Sequence, residues 1–533
     1  MRTRLWSTLV FLILGLLFAV QAQAFCGFYA GKADASLFNQ ASQVAIARDG
    51  ERTVLTMLND YQGPLNQFVL VVPTPALLKE GQVSIADKAV FEHMDSYSSP
   101  RLAGYKDPNP CHTYFRWGFD PAEMVERVTV TGSAVQKADV TLGVAVSARF
   151  TLGEYDIVLL SAQQSDGLET WLHQNGYKIP QGASAALRPY IKQGMKFFVA
   201  KVNLKEQAKT GYSTLRPLQF AFESNKFMLP MRLGMLNAAP GQAQDLIVYL
   251  MTRNGRVESS NYRTVKLPSD VDVPQFIKPS FGDFYKAMFD TATKAEQYRA
   301  VFTEYFWDMN SCDPCAAEPL TTQELLKAGV FWLEGQPARD FAAMQNGKTL
   351  AAPSQDDGIK SVMLTRVHIR YTPESFPEDL MFTETRDDGR WQARYIVREP
   401  YVGSVAACAK QVAGMDCEAM CKERVTYTQE VVKQYPHNSQ YNDKSSTELQ
   451  ADCMNSCRAS KNEAISTAVE YYTKVLPERA ATEKQTLAKL TGWSMHKINN
   501  MPGADSYGSL APAGEGDAVA SNSSWWQRLL HNQ

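Results

Sequence analysis

The chain has 533 residues, of which 45% are apolar and 21% charged, so it can bury a substantial core. Its 54 lysines and arginines are balanced by 56 aspartates and glutamates. A nucleic-acid partner is therefore not expected, because phosphate binding requires a basic surplus or a basic stripe.

The first 24 residues, MRTRLWSTLVFLILGLLFAVQAQA, have the pattern of a secretory signal. Arg2 and Arg4 precede an apolar run, and Ala-Gln-Ala forms a small-residue cleavage site, so we expect the mature chain to begin at Phe25. An uncleaved membrane anchor is the competing interpretation. No later stretch approaches 18 apolar residues, so no transmembrane span is expected after cleavage. These features predict a periplasmic or extracellular protein.

Within residues 25–270, the stretch from Ala41 to about Val72 alternates between apolar and polar side chains as β-strands do, and further strand-like runs follow it. "VAIARDGERTVLTML" places Asp49-Gly50 between two such runs, and "DLIVYLMTRNGRVES" does the same with Asn254-Gly255. Asp-Gly and Asn-Gly are typical of two-residue hairpin turns. We therefore predict a β-rich, mainly antiparallel N-terminal domain that also contains helical stretches, one of them "SAALRPYIKQG".

A mixed region is predicted at 271–403, where "FGDFYKAMFDTATKAEQYRAVFTEYFW" forms the longest helix-like run. A small β segment follows it, with a turn at Asp388-Gly389. Residues 404–499 are helical and charged, and 500–533 are rich in Gly, Ala, Ser and Pro and predict a disordered tail. Close to its end the tail contains "WWQRLL", which could dock on a membrane surface or a partner, although a frayed end is favoured. The expected fold class is α+β.

Two cysteine pairs, in "DCEAMC" and "DCMNSC", mark the helical region. Cys417 and Cys421 lie one helical turn apart, as do Cys453 and Cys457, so each pair shares a helix face. If the two helices fold antiparallel, Cys417 meets Cys457 and Cys421 meets Cys453. We therefore predict a helical hairpin closed by two disulfides.

Four cysteines in this arrangement also permit a tetrahedral zinc site or a redox role. An exported protein normally has such thiols oxidised before a metal can bind, so disulfides are favoured and no metal or cofactor is expected.

The Cys312-Asp313-Pro314-Cys315 motif resembles that of thiol–disulfide exchange enzymes, in which the first cysteine is an activated thiolate. A thioredoxin-like context requires a strand before the motif and an uninterrupted helix after it. Here a helix-like run precedes the motif and Pro319 interrupts the sequence beyond it. A disulfide in a structural loop, Cys312–Cys315, is therefore favoured over a redox-active or metal-binding pair.

The three remaining cysteines allow one further bridge. We predict Cys26–Cys111, which would join the start of the mature chain to the first domain. Cys408 is then the unpaired member of an odd set of nine, either as a buried thiol or as a bridge to another chain.

Sequence signatures of catalysis are missing. No two of the seven histidines form a His-Glu-x-x-His motif, and the chain lacks a Gly-x-Ser-x-Gly elbow and a phosphate-binding Gly-x-x-x-x-Gly-Lys. The sequence therefore favours a non-enzymatic binding or envelope-structural module whose protein or small-molecule partner is unknown. A thiol–disulfide oxidoreductase that uses Cys312 and Cys315 is the alternative.

Several longer phrases, among them "GLETWLHQNGYKIP", "LRPLQFAFESNKFMLPMRLGM" and "LTRVHIRYTPESFPEDLMF", are similar to a bacterial family catalogued as domain of unknown function 2330. The resemblance covers roughly residues 25–400. It implies an exported bacterial protein without an assigned activity or established catalytic residues.

Overall fold

The computed structural model of the chain describes residues 28–31, 38–62, 68–112, 117, 149–160, 168, 172–174, 176–177, 182–203, 205–206, 209, 215–237, 243–309, 317–335, 361–434, 441 and 444–507. Its strands are β1 Phe28–Gly31, β2 Phe38–Asp49, β3 Arg52–Gln62, β4 Phe68–Thr74, β5 Val83–Ile85, β6 Arg101–Lys106, β7 Arg149–Leu152, β8 Tyr155–Leu160, β9 Lys196–Val202, β10 Leu218–Glu223, β11 Met228–Leu229, β12 Gln244–Thr252, β13 Val257–Ser259, β14 Arg263–Lys266, β15 Val271–Asp272, β16 Ala300–Asp308, β17 Met363–Tyr371, β18 Leu380–Glu384, β19 Trp391–Gln392 and β20 Arg394–Glu399. Its α-helices are α1 Lys88–Ser98, α2 Ala183–Lys192, α3 Phe281–Ala295, α4 Thr322–Lys327, α5 Val405–Ala413, α6 Cys417–Gln434, α7 Ser446–Glu470, α8 Leu476–Thr491 and α9 Met495–Asn499.

The chain forms two units, and neither is continuous in sequence. Residues 1–101, 132–268 and 292–393 belong to the first unit, and residues 102–131, 269–291 and 394–533 belong to the second. The mixture of mostly antiparallel sheets with a helical C-terminal region confirms the predicted α+β class.

The first unit is built on a nine-stranded sheet with the order β14-β16-β17-β12-β2-β3-β10-β5 and with β19 paired to β16. Its pairs are antiparallel except for β12 with β2 and β14 with β16. A five-stranded antiparallel sheet, β1-β4-β9-β8-β7, shares one apolar cluster with it. The rings of Phe198 on β9 and Phe220 on β10 lie 4.6 Å apart in this cluster, so the two sheets form a sandwich.

Helices cover the outer faces of the sandwich. Apolar side chains of α2 pack on the five-stranded sheet. On the nine-stranded sheet, α1 contacts two strands through aromatic rings: Phe91 lies 6.1 Å from Tyr249 of β12, and Tyr97 lies 5.7 Å from Tyr305 of β16. Around these contacts the large sheet is buried on both faces.

Of the two N-terminal hairpins predicted from the sequence, one is confirmed. β2 and β3 pair directly around Asp49-Gly50, where Gly50 has a φ of +59°. The turn at Asn254-Gly255 does not join paired strands, because β12 pairs with β17 and β13 pairs with β18. A Cβ on Gly255 would lie 2.5 Å from the carbonyl oxygen of Thr385, so this glycine serves a close backbone approach instead.

The long helix predicted after residue 280 is wrong in its second half. Helix α3 ends at Ala295, and Gln297 and Tyr298 then adopt positive φ values of 53° and 58°. The following "AVFTEYFWD" forms β16, which lies between β14 and β17 and is buried along nearly its whole length. Aromatic and β-branched side chains suit such a position better than a helix surface. The Asp388-Gly389 turn likewise does not join a hairpin, since β19 pairs with β16.

The second unit combines the small sheet β15-β20-β6 with helices α5 to α9. α6 and α7 form an antiparallel hairpin, and a capping box between Ser445 and Glu448 starts α7. A π-helical turn, Tyr471–Val475, joins α7 to α8. The helical character predicted for this region is confirmed.

One glycine of the first unit provides a test of this packing. Gly329 follows α4 with a φ of +97°, and a Cβ there would lie 2.4 Å from Cγ1 of Val54 on β3. We expect Gly329→Ala to lower the free energy of unfolding by about 2–4 kcal/mol, since backbone strain and overpacking add. Gly194 has a φ of +71° but open space around it, so Gly194→Ala should cost only about 1–2 kcal/mol. Urea unfolding of both variants measures the difference, and equal losses would contradict the packing argument.

Candidate functional site

The twin cysteine pairs form two disulfides between α6 and α7. Cys417 is bonded to Cys457 and Cys421 to Cys453, with Cα atoms 5.9 Å and 5.6 Å apart. All four are buried, and the cluster also contains Trp117. The predicted hairpin closed by two disulfides is confirmed, and its cysteines are bonded rather than available to a metal.

A third disulfide joins Cys111 to Cys408, 297 residues apart in sequence, with Cα atoms 5.4 Å apart. The predicted Cys26–Cys111 bridge is therefore wrong, and so is the prediction that Cys408 is unpaired. The reason is the discontinuous second unit, in which the segment after β6 lies against α5. Cys111 and Cys408 are buried there beside Ala464 and Ala468 of α7.

Cys26, Cys312 and Cys315 lie outside the described residues. Three disulfides account for six of the nine cysteines, so these three contain at least one cysteine without an intrachain partner. If Cys312 and Cys315 are bonded as the sequence predicts, Cys26 is the odd one.

The described residues on either side of the Cys-x-x-Cys motif change one argument about it. A strand, β16, ends at Asp308 just before the motif, where the sequence predicted a helix. After the motif, α4 has only six residues and begins with a capping box between Thr321 and Glu324. One of the two sequence arguments against a thioredoxin-like context therefore fails, while the lack of a long following helix stands.

His93 of α1 holds the segment that follows the motif. Its Nδ1 lies 2.8 Å from Oε1 of Glu324, and its Nε2 lies 2.7 Å from the carbonyl oxygen of Glu318. Both ring nitrogens therefore face oxygen atoms. This imidazole therefore links α1 to α4 and to the segment just before α4, and both of its nitrogens take part in that contact.

Among the described residues, the largest group of buried charges lies between α1 and the nine-stranded sheet. Arg366 of β17 is fully buried and donates from Nε to Glu304 Oε2 at 2.5 Å and from Nη1 to Asp95 Oδ1 at 2.7 Å. Glu304 sits at a β-bulge in β16, where the register shifts between Thr303 and Tyr305. Such a bulge can place two consecutive side chains on one face of a sheet, which accounts for a buried glutamate beside the α1-facing Tyr305.

The network continues along β17 through His368, which is 1% exposed. Its Nδ1 lies 2.9 Å from Glu304 Oε1, and its Nε2 lies 3.6 Å from Asp245 Oδ1. Arg370 closes the series with a bidentate pair to Asp245, at 2.6 Å and 2.7 Å. Asp95, Glu304 and Asp245 thus face Arg366, His368 and Arg370, and the charges balance when His368 is protonated.

The surroundings of His368 and Asp245 favour the charged forms of these two groups, whereas burial raises the pKa of Asp95 despite its contact with Arg366. Burial lowers the pKa of His368, but the Glu304 and Asp245 carboxylates outweigh it and raise that pKa above its ordinary value of 6.5. Burial likewise opposes ionisation of Asp245, but Arg370 and His368 hold its pKa well below the usual range. Because both nitrogens of His368 face carboxylates, the ring is arranged as a cation in an ion network rather than as a general base, which requires a neutral nitrogen facing a substrate.

Sequence reasoning missed this network, although a signal was present. In "TRVHIRY" of β17, Arg366, His368 and Arg370 alternate with Val367, Ile369 and Tyr371, as expected for a strand with one polar face. Such a face normally meets solvent. Here α1 covers it, and the charges at its centre are buried.

Other possible sites in the described part of the chain are limited. A small apolar cavity of about 10 Å³ lies beside β3, β4 and β10, lined by Leu55, Val72 and Phe220 among others, with room for at most about one water molecule. Across the same residues, no group of three or more His, Cys, Asp or Glu side chains is placed to hold a metal ion. None of the described helices combines the length and the apolar composition that a membrane span requires.

Comparison with protein families matches residues 20–383 to a family described as uncharacterised proteins conserved in bacteria, DUF2330. No curated protein and no solved structure matches the chain. The match covers more than half of the chain and ends within β18, before the disulfide-closed helices begin.

The disulfide framework predicts a ranking of stabilities. In the chain-entropy account, a bridge closing 297 residues contributes roughly 5 kcal/mol. We therefore expect Cys111→Ser/Cys408→Ser to lower the free energy of unfolding more than Cys417→Ser/Cys457→Ser, since Cys421–Cys453 still joins the two arms in the latter.

Non-reducing peptide mapping should first confirm the three bridges, and urea unfolding then measures the ranking. A bridge between Cys417 and Cys421 within one helix, or the reverse order of stabilities, would contradict this account.

The charge network predicts a pH-dependent stability. A histidine whose folded pKa is raised stabilises the fold fully below about pH 6.5 and loses this effect as pH rises through its folded pKa. His368→Gln should therefore destabilise by about 3–5 kcal/mol at pH 6, because Glu304 loses a buried charged partner. The difference in the free energy of unfolding between this variant and the wild type should narrow as the pH rises.

Urea unfolding between pH 6 and 9 tests this expectation, with the exposed His173→Gln in the same unit as the control. If the free energy of unfolding that His368→Gln loses does not change with pH, the wild-type ring is uncharged over this whole pH range.

Proposed function

Because the chain belongs to the uncharacterised bacterial family DUF2330, we propose a function from its own geometry: an exported, non-enzymatic binding or envelope-structural module. Its partner would be a protein or a small molecule outside the cytoplasm.

The disulfide framework carries this proposal. Three bridges lie in the second unit, all between buried cysteines. Disulfides of this kind form and persist in oxidising compartments, and together with the signal-like N-terminal sequence they support a periplasmic or extracellular location. Covalent stabilisation suits a module that must keep its shape outside the cell.

The buried charges of the first unit support a structural role for the chemistry observed there. Arg366, Glu304 and His368 are at most 1% exposed, and they pair with each other and with the neighbouring carboxylates. A ligand at the surface cannot reach groups in this position. Their role is therefore to stabilise the sheet and its covering helix. Functional contacts are therefore expected at the surface or in loops.

The thiol–disulfide oxidoreductase that uses Cys312 and Cys315 is the second candidate. It gains support from β16, since a strand immediately before the motif is the arrangement that such enzymes require. The aspartate between the cysteines opposes it, because a neighbouring negative charge disfavours the thiolate. So does α4, whose six residues offer little of a helix dipole to stabilise that thiolate.

Complementation of a deletion strain separates the two candidates. We expect Cys312→Ser/Cys315→Ser to restore the envelope properties that the strain loses, because a binding or structural module needs no thiol turnover. Cys417→Ser/Cys457→Ser serves as the matched control, since it also removes one cysteine pair but no proposed redox centre. The amount of each protein in the envelope fraction is measured alongside.

The purified protein should also show no disulfide reductase or isomerase turnover, and a structural pair should have a reduction potential below about −300 mV. Turnover that Cys312→Ser abolishes, with failed complementation at normal protein levels, would establish the oxidoreductase instead.

A further inference from the structure

A buried carboxylate that does not belong to the network above lies in the second unit, on α8. The side chain of Glu483 is 1% exposed, and its Oε2 accepts a hydrogen bond from the hydroxyl of Tyr507. Its Oε1 has no hydrogen-bond partner in the described part of the chain. The nearest cation on the same helix is Arg479, whose Nε lies 3.7 Å from Oε1, too far for a hydrogen bond. An ionised carboxylate is poorly stabilised in this position.

Arg479 is already paired with another carboxylate, Asp107. Arg479 donates from Nη1 to Asp107 Oδ1 at 2.9 Å, and its Nη2 lies 2.7 Å from Oδ2. Asp107 also accepts a hydrogen bond from the hydroxyl of Tyr471 at 2.5 Å. Two carboxylates thus share one guanidinium, and Asp107 makes the shorter contacts with it.

The other charges that face Glu483 come from the small sheet. Arg398 of β20 and Asp272 of β15 act on it, and they pair with each other at 2.7 Å between Nε and Oδ1. Their effects on the Glu483 charge therefore oppose one another. The arrangement favours the neutral acid at Glu483.

Tyr507 belongs to a segment that folds back on α8. Lys484 Nζ donates to the carbonyl oxygen of Ala504 at 3.0 Å, and Ala504 is fully buried. The ring of Tyr507 meets Phe276 edge to face, with centroids 5.6 Å apart. In sequence this segment immediately precedes the Gly-, Ala-, Ser- and Pro-rich residues that lead up to "WWQRLL". The Glu483–Tyr507 contact therefore lies at the last residue that the structure describes before this stretch.

We propose that Glu483 is a proton-controlled latch, which holds residues 501–507 on α8 while it is neutral and loosens them when it ionises.

The direction of the effect follows from the burial of the carboxyl. Burial raises the pKa of Glu483 from its ordinary value of 4.5 to about 7, although the Tyr507 hydrogen bond and Arg479 oppose the rise. A released Glu483 ionises at its ordinary pKa. The latch is therefore strongest below about pH 4.5, weakens as the pH rises to about 7 and changes little above that. Between pH 5 and pH 8 the ratio of latched to released forms should fall by a factor of about 50 or more.

Hydrogen exchange of the full-length chain tests this proposal, with rates at residues 501–507 corrected for the intrinsic effect of pH. Wild-type protection there should fall between pH 5 and pH 8, while protection in the disulfide-closed helices α6 and α7 should not. Glu483→Gln, which keeps the shape of the neutral acid, should retain its pH 5 protection at pH 8. Glu478→Gln removes an exposed carboxylate from the same helix and should behave as the wild type.

Tyr507→Phe provides a second variant that leaves α8 unchanged. Loss of its hydroxyl should lower the protection of residues 501–507 at pH 5, where the latch is strongest. Wild-type protection that is equal at pH 5 and pH 8, or a Glu483→Gln variant that loses protection with pH as the wild type does, would overturn the proposal. If Glu483→Gln does not fold, the pH dependence of the wild type and the effect of Tyr507→Phe decide it.

Discussion

The position of β17 constrains much of the first unit. One face of this strand packs into the apolar layer between two sheets, and the other face carries Arg366 and His368 beneath α1. Buried charges are tolerated only when each has a partner and hydrogen bonds. The bulge that turns Glu304 inward and the position of Asp95 on the covering helix both meet that requirement. Strand register, helix docking and charge balance are therefore parts of one arrangement.

The second unit is stabilised in a different way. Its helices present small side chains, such as Ala464 and Ala468, to their neighbours, and several of their buried positions are cysteines. Small side chains bury little apolar area, so hydrophobic packing between these helices is modest. The disulfides compensate by limiting the freedom of the unfolded chain. A reducing environment should consequently affect this unit far more than the sandwich.

Local patterns in the sequence predicted local structure well. The Asp49-Gly50 hairpin and the paired helix faces of α6 and α7 were both predicted, because the residues that determine them lie close together in sequence. The prediction failed where contacts between segments that are distant in sequence determine the structure. "AVFTEYFW" continues a helical period but forms a central strand, since its neighbours β14 and β17 lie far away in sequence.

The same limitation explains the errors at the cysteines and at the charged site. Cys111 was assigned to Cys26 because both lie near the N-terminus, whereas its partner Cys408 follows 297 residues later. The alternating charges of β17 were visible, but nothing in the sequence shows that α1 covers them. A pattern read along the sequence can suggest only domains that are continuous in sequence. Each observed unit is instead assembled from three separate segments.

The Cys111–Cys408 bridge also bears on how the chain matures. A polypeptide that enters an oxidising compartment with its amino end first exposes Cys111 long before Cys408, and Cys312 and Cys315 arrive in between. Oxidation in order of arrival joins the wrong partners, and only attack by another thiolate then frees Cys111 for its native bond. The yield of native protein therefore depends on the balance between oxidation and exchange while the disulfides form, and oxidation without exchange leaves the second unit without its native bridge.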